Sequence, residues 1–197
     1  MREMIKMVVV LTVLSMFSGG LLAALRSSTK DQIENQQLTF VKGPAIMEIM
    51  QGAGNDPIKD RFKLADGDVE RSFFVGIFDG QPQAVAFETY GKGFGGDIGL
   101  MVGVNLSTDK IVGVGVTTHS ETPGLGSRAK DDPKFRAQFK GLPLSGAFKV
   151  KPDGGQVDAL SGATISSRGV TGALTSASEV YARVKPQVTQ KLKEFTK

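Results

Sequence analysis

The sequence contains no cysteine and no tryptophan, and it has a single histidine, His119. Without cysteine the chain cannot form disulfides, thiolate metal sites, Cys-ligated iron–sulfur clusters or a cysteine nucleophile. One histidine also excludes a metal site built from several histidines of this chain. The net charge is only +4, and basic residues do not alternate with aromatic ones as is typical of nucleic-acid binding. We therefore expect neither a protein-bound metal nor a nucleic-acid partner.

A long uncharged stretch lies near the N-terminus, from Met7 to Leu25. As a helix its 19 residues would span about 28 Å, close to the ~30 Å hydrocarbon core of a bilayer. A cleaved signal peptide is the alternative, but this apolar segment is long for one, and no A-x-A-like cleavage site follows. Residues 1–26 are therefore predicted to be a retained transmembrane anchor. Lysine and arginine are balanced across the segment, so the charges leave its orientation open.

The rest of the chain changes from helical to strand-like patterning. Residues 27–70 begin with good N-cap residues, continue polar and contain the amphipathic segment PAIMEIM, which indicates a helical linker region. From residue 71, two pairs of alternating segments separated by turn signals predict two β-hairpins. Apolar residues then recur at helical spacing from Val170 to Val184, in a helix that Pro186 is expected to end or kink. We predict an α+β domain over 71–197, with a mainly antiparallel sheet covered by the C-terminal helix.

The segment DALSGATISS immediately precedes this helix. If the helix begins near Thr164, its first N–H groups lack intrahelical partners and, together with the helix dipole, favour an anion such as phosphate. The small or hydroxyl-bearing candidates for contacting this anion are Gly162, Ala163, Thr164, Ser166 and Ser167. Plain capping of the helix by Ser161 or Thr164 is the alternative. The segment lacks the Gly-Lys-Ser/Thr of a P-loop, so nucleotide hydrolysis is unsupported.

A second loop, HSETPGLGSR, follows the second predicted hairpin. Its Thr-Pro-Gly-Leu-Gly stretch bends tightly and presents little bulk to a flat ligand, while Leu125 is apolar between two glycines. His119 is a candidate base, although a lone histidine at a strand end is more often structural. A hydrolase that uses Ser161 or Thr164 with His119 is disfavoured, because no Gly-x-Ser-x-Gly elbow surrounds either hydroxyl. An ordinary connection between a strand and a helix is the alternative for this loop.

Four segments in this order, together with the N-terminal anchor, resemble one protein family over nearly the whole chain. The segments are GKGFGGDIGLMVGVN, HSETPGLG, DDPKFRAQFKG and DALSGATISS. They are similar to the FMN-binding domain of membrane redox complexes. The resemblance is strongest to the G subunit of the Rnf ion-translocating ferredoxin:NAD oxidoreductase, and next strongest to the C subunit of the sodium-pumping NADH:quinone reductase. SGAT alone is a weak motif, whereas the ordered set is specific.

The resemblance implies a covalently bound FMN whose phosphate is esterified to the hydroxyl of Thr164. A flavin transferase would make this bond on the outer face of the membrane. The other implied cofactor-binding residues are Ser161, Gly162, Ala163 and Ser166 beside Thr164, and Glu121, Thr122, Gly124, Leu125 and Gly126 near the isoalloxazine ring. The segment GKGFGG would line the opposite side of the ring.

The resemblance further implies an electron-transfer component of an oxidoreductase, without substrate turnover of its own. It would relay electrons through FMN inside an Rnf complex, beside iron–sulfur and flavin subunits. Its place would be the inner membrane of a bacterial or archaeal cell, spanned once, with the soluble domain on the periplasmic or extracellular side. The alternatives are a component of the quinone reductase like its C subunit, a stand-alone flavin carrier and, from another class, an anchored scaffold without a cofactor.

Overall fold

The computed structural model describes residues 1–195. The chain divides into two units, residues 1–38 and the residues from Thr39 onward. Residues 196 and 197, which end the predicted 71–197 domain, lie outside the described residues.

The first unit consists mainly of one helix, α1, Arg2–Gln36. At 1.5 Å per residue it is about 52 Å long. The helix continues without a break through the polar residues that follow Arg26. Within residues 1–195, the part Arg2–Lys30 is the one helix long and apolar enough to cross a membrane, with a mean hydropathy of 2.3. The predicted apolar N-terminal helix is therefore confirmed. A short π-helix, Gln37–Lys42, follows α1.

The second unit contains a five-stranded sheet. Its strands are β1 Arg61–Asp66, β2 Val69–Phe78, β3 Gln81–Lys92, β4 Asp97–Asn105 and β5 Ile111–Val116. Each strand pairs antiparallel with the next, so that the order in the sheet is the order in the sequence. The two predicted hairpins correspond to β2–β3 and β4–β5, and the predicted antiparallel sheet is confirmed.

The segment predicted as a helical linker, residues 27–70, needs a correction. Helix continues only as far as α2, Gly43–Ile49, and the segment then includes strand β1. This strand lies at the edge of the sheet, and only Phe62 and Leu64 of its side chains pack against the core. Its apolar alternation is therefore too short to identify it in the sequence. The domain boundaries at residues 26 and 70 stay predictions.

Three more helices follow the sheet: α3 Arg128–Asp131, α4 Pro133–Ala137 and α5 Thr164–Leu192. Helix α5 does not end at Pro186. Its buried face continues beyond the proline with Val188 and Leu192, so packing outweighs the lost backbone hydrogen bond. Before α5, the segment GAFKVKPDGG contains a short 3₁₀ turn, Lys151–Asp153, and its Val150 forms a single bridge with Val157 further along the chain.

The two faces of the sheet are covered by different helices. On one face α5 packs against the apolar core, where Phe87 stacks on Tyr181 with ring centroids 6.3 Å apart. The hydroxyl of Thr89 donates to the carbonyl of Ala173 at 2.9 Å. On the other face α2 lies so close that a Cβ atom on Gly103 would be 2.2 Å from the side chain of Ile49. This three-layer packing fixes α5, and therefore its N-terminus, against the sheet.

Candidate functional site

Helix α5 begins with an open N-terminus. Thr164 is its first residue and Ala163 is the N-cap, and no side chain caps the helix. The interpretation that Ser161 or Thr164 merely caps α5 is therefore wrong. Gly162 turns the chain into the helix with φ of +78°, a conformation that other residues rarely adopt. The first N–H groups of α5 are consequently available to an anion.

The serines of the first turn hold this segment in place. The hydroxyl of Ser167 accepts the N–H of Leu160 at 2.9 Å and donates to the carbonyl of Ala163 at 3.0 Å. Ser166 is buried and donates its hydroxyl hydrogen to the carboxylate of Glu121. The hydroxyls of Ser166 and Ser167 are therefore both used in hydrogen bonds within the protein. Ser161 is exposed, and Thr164 is half-buried.

Glu121 connects three segments of the site. Its side chain is buried; Oε2 accepts the hydroxyl of Ser166, and Oε1 accepts the N–H of Gly95 at 2.8 Å. Gly126 passes close to this pair, because a Cβ atom there would lie 2.5 Å from both Glu121 Oε2 and Ser166 Oγ. The carboxylate therefore joins the start of α5, the GKGFGG turn and the HSETPGLG loop.

Three basic side chains near the cavity, His119, Arg128 and Arg168, are engaged with protein groups. His119 accepts the N–H of Glu121 on Nδ1 at 3.2 Å, which is a local turn contact. Arg128 donates to the carbonyl of Ser161 at 3.4 Å and so links the two loops. Arg168 in α5 forms a two-bond pair with Asp153, with both contacts at 2.7 Å. These hydrogen bonds from Arg168 hold the pKa of the Asp153 carboxyl below its usual range.

The three segments enclose an open cavity of about 410 Å³, within the ~300–1,000 Å³ that small-molecule sites usually occupy. Its lining residues are Phe94, Glu121, Thr122, Leu125, Gly126, Gly162, Ala163, Thr164, Ile165 and Ser166. Eight of the ten cofactor-binding residues that the resemblance implies are among them. The other two, Ser161 and Gly124, are not.

Two lining residues, Phe94 and Ile165, are absent from the predicted set. Phe94 belongs to GKGFGG, the segment expected on the opposite side of the ring. It is apolar and flanked by glycines, as Leu125 is in its own loop, and this pattern is the signal that could have identified it. Ile165 is an exposed apolar residue in the first turn of α5, outside the stripe that begins at Val170. An apolar residue off the core-facing stripe of a helix is the signal that could have identified it.

The cavity combines two chemically different kinds of group. The open N-terminus of α5 and the hydroxyl-bearing Thr164 are polar, while the side chains of Phe94, Leu125 and Ile165 are apolar. Ala163, Gly126 and Gly162 add little bulk to the lining. Such a cavity fits a ligand with a phosphate at one end and a flat, largely apolar ring at the other.

Comparison with known proteins agrees with this chemistry. The FMN-binding domain family matches residues 93–179, a range that includes every residue lining the cavity. The G subunit of the ion-translocating oxidoreductase complex of Methanosarcina acetivorans is 36% identical over 89% of this chain and 93% of its own length. The corresponding protein of Pseudomonas aeruginosa is 30% identical over 89% of this chain and 87% of its own length.

Solved structures show the same fold. The chain matches Shewanella oneidensis NqrC with a TM-score of 0.53 and 27% identity, over 71% of this chain and 72% of the other. It also matches the C subunit of the Na⁺-translocating NADH-quinone reductase of Parabacteroides distasonis, with a TM-score of 0.51 and 31% identity. That match covers 59% of this chain and 63% of the other. By its identity and coverage with the curated relatives, the chain belongs to the family of G subunits of ion-translocating oxidoreductase (Rnf) complexes.

Proposed function

We propose that this chain is an electron-transfer flavoprotein component of an Rnf-type ion-translocating oxidoreductase complex, with FMN attached through its phosphate to Thr164. One observation supports Thr164 as the attachment site. Thr164 lines the cavity at the open N-terminus of α5, and its hydroxyl makes no hydrogen bond within residues 1–195. Ser166 and Ser167, the neighbouring hydroxyls in the same turn, are buried and already bonded.

Different groups around Thr164 bind the phosphate and the ring of the cofactor. The N–H groups of the first turn of α5 and the helix dipole stabilise the phosphate. Leu125, Thr122 and Gly126 form the wall against which the isoalloxazine ring lies. The flavin supplies the redox chemistry, while the protein positions it and excludes part of the solvent. The cavity is open, which suits electron exchange with another protein better than turnover of an enclosed substrate.

The place of the chain in the cell follows from the same proposal. The helix Arg2–Lys30 anchors it in the membrane among the other subunits of the complex. The soluble domain lies on the outer side, where a flavin transferase attaches the FMN. Covalent attachment is advantageous there, because a dissociating flavin would be lost from the cell. Electrons pass through this FMN between neighbouring iron–sulfur or flavin centres.

The mass of the denatured full-length protein, produced together with a flavin transferase, tests the attachment. A phosphoester at Thr164 adds one FMN and removes one water. We expect this gain in the wild type and its complete loss in Thr164→Val, which keeps the shape of the side chain but removes the hydroxyl. Ser161→Ala is the matched control and should keep the FMN, because Ser161 does not line the cavity. Covalent FMN in Thr164→Val would assign the ester to another hydroxyl, and an unmodified wild type would refute covalent attachment.

A further inference from the structure

Three large apolar side chains are exposed around one cavity. Phe94 is 72% exposed, Leu125 49% and Ile165 46%, and all three line the cavity. Among residues 39–195, the other large hydrophobic side chains with comparable exposure are Phe40, Met47, Val69 and Tyr90. None of these four lines the cavity. A concentration of exposed apolar surface at one place marks a binding site rather than ordinary surface variation.

The exposure of Phe94 is imposed by the fold. The N–H of Gly93 donates to the carbonyl of Gly96 at 2.8 Å and closes a tight turn. Phe94 is one of the two residues between them. The N–H of Gly95 bonds to Glu121 at 2.8 Å. A Cβ atom on Gly95 would be 2.0 Å from the carbonyl oxygen of Ser120, so the turn is pressed against the HSETPGLG loop. Phe94 is therefore held at the cavity by a fixed backbone.

Ile165 and Leu125 come to the same cavity from the other two segments. Ile165 follows Thr164 directly and lies in the first turn of α5. Leu125 lies close to the SGAT loop, because a Cβ atom on Gly162 would be 3.6 Å from its Cδ2. Glu121 accepts hydrogen bonds from Gly95, beside Phe94, and from Ser166, beside Ile165. It therefore connects the two segments that carry these apolar side chains.

We propose that Phe94, Leu125 and Ile165 form an apolar clamp that holds the isoalloxazine ring of the FMN tethered at Thr164. This inference rests on the proposed function and extends it, because Phe94 and Ile165 become cofactor-contacting residues. The tether fixes only the phosphate end of the flavin. The apolar clamp removes the freedom of the ring and shields it from water, since burial of apolar surface on both partners is favourable. The ring is then held in one position for electron exchange.

The absence of tryptophan from the chain gives a sharp test of contact with Phe94. An indole in van der Waals contact with an isoalloxazine ring quenches flavin fluorescence by electron transfer. We expect Phe94→Trp in the flavinylated full-length protein to lower the fluorescence severalfold relative to wild type. Phe40→Trp is the matched control, because Phe40 is 77% exposed and does not line the cavity. Its fluorescence should equal that of the wild type.

Removal of the clamp gives an independent measurement. Phe94→Ser and Ile165→Ser should lower the fluorescence anisotropy of the bound flavin and raise its quenching by iodide at least twofold. Phe40→Ser should change neither. Unchanged fluorescence in Phe94→Trp together with unchanged anisotropy in both serine variants would overturn the clamp, provided that mass spectrometry shows FMN in every sample. A folded Phe94→Ser protein without FMN would also overturn it, since Phe94 would then serve recognition by the transferase. A wild type without FMN would instead refute the proposed function.

Discussion

The carboxylate of Glu121 accepts a hydrogen bond from the hydroxyl of Ser166, 45 residues further along the chain. Both side chains are buried, and the second carboxylate oxygen accepts the N–H of Gly95. One carboxylate thereby connects the start of α5 with the turn that carries Phe94. This contact adds to the close packing of α5 against Gly91 and Gly93, which also holds these two walls of the cavity together.

Glu121→Ala should destabilise the protein. The substitution leaves the buried hydroxyl of Ser166 and the partly buried N–H of Gly95 without their partner, and an unsatisfied buried group costs about 1–3 kcal/mol. We expect the free energy of unfolding to fall by at least about 1 kcal/mol, measured by urea titration of the full-length protein in mild detergent. Far-UV circular dichroism follows the unfolding.

Glu121→Gln is the control for that substitution. Its amide oxygen can still accept one hydrogen bond, and its amide nitrogen can donate to Ser166 Oγ, so the loss should be clearly smaller than in Glu121→Ala. Equal losses in the two variants would show that the charge of Glu121, and not its hydrogen bonds, holds the two walls together.

Two glycines in α5 should respond in opposite ways to alanine. A Cβ atom on Gly169 would lie 3.0 Å from the carbonyl oxygen of Lys92 and 3.1 Å from the Cα of Gly93. A Cβ atom on Gly172 would have nothing within 4 Å. Gly172→Ala should therefore stabilise the protein by about 0.5–1 kcal/mol through helix propensity. Gly169→Ala should destabilise it by about 1–3 kcal/mol, because it forces α5 away from β3. Thermal unfolding of both variants decides the matter, and a higher melting temperature for Gly169→Ala would contradict the close packing.

Local patterns predicted much of this fold. The alternation in β2 to β5 and the helical spacing from Val170 to Val184 are properties of neighbouring residues, so they are visible without a structure. The beginning of α5 near Thr164 follows from the small and polar residues before it. Strand β1 was missed, because an edge strand that buries little has only a weak alternation.

Contacts between distant segments were not predictable in the same way. The bond between Glu121 and Ser166, and the meeting of Phe94 with Ile165 at one cavity, depend on how α5 packs on the sheet. Nothing in the spacing of these residues fixes that packing. The continuation of α5 beyond Pro186 has the same origin, since burial of Val188 and Leu192 is a tertiary effect.

Asp66 should make the stability depend on pH in the acid range. Its carboxylate accepts hydrogen bonds from Arg71 Nε at 3.0 Å and from Arg183 Nε and Nη2 at 2.9 and 3.0 Å, which ties β1 and β2 to α5. These bonds, those from Arg183 above all, hold the pKa of Asp66 below its usual value. A carboxyl whose pKa is lower in the folded state stabilises the protein fully above its unfolded pKa of about 3.9, and this stabilisation disappears as the pH falls through the folded pKa.

Asp66→Asn should therefore cost about 1–3 kcal/mol at pH 7, since the lost hydrogen bonds involve charged groups. The difference from wild type should stay constant between about pH 5 and pH 8 and shrink below about pH 4, as the pH falls from the unfolded pKa of Asp66 through its lower folded pKa. Urea titrations of the full-length protein at several pH values measure this. Asp68→Asn, a substitution at an exposed position two residues away, should show no comparable loss. A difference for Asp66→Asn that persists unchanged to pH 2 would mean that the charge of Asp66 does not contribute, because protonation would then leave its stabilising contacts intact.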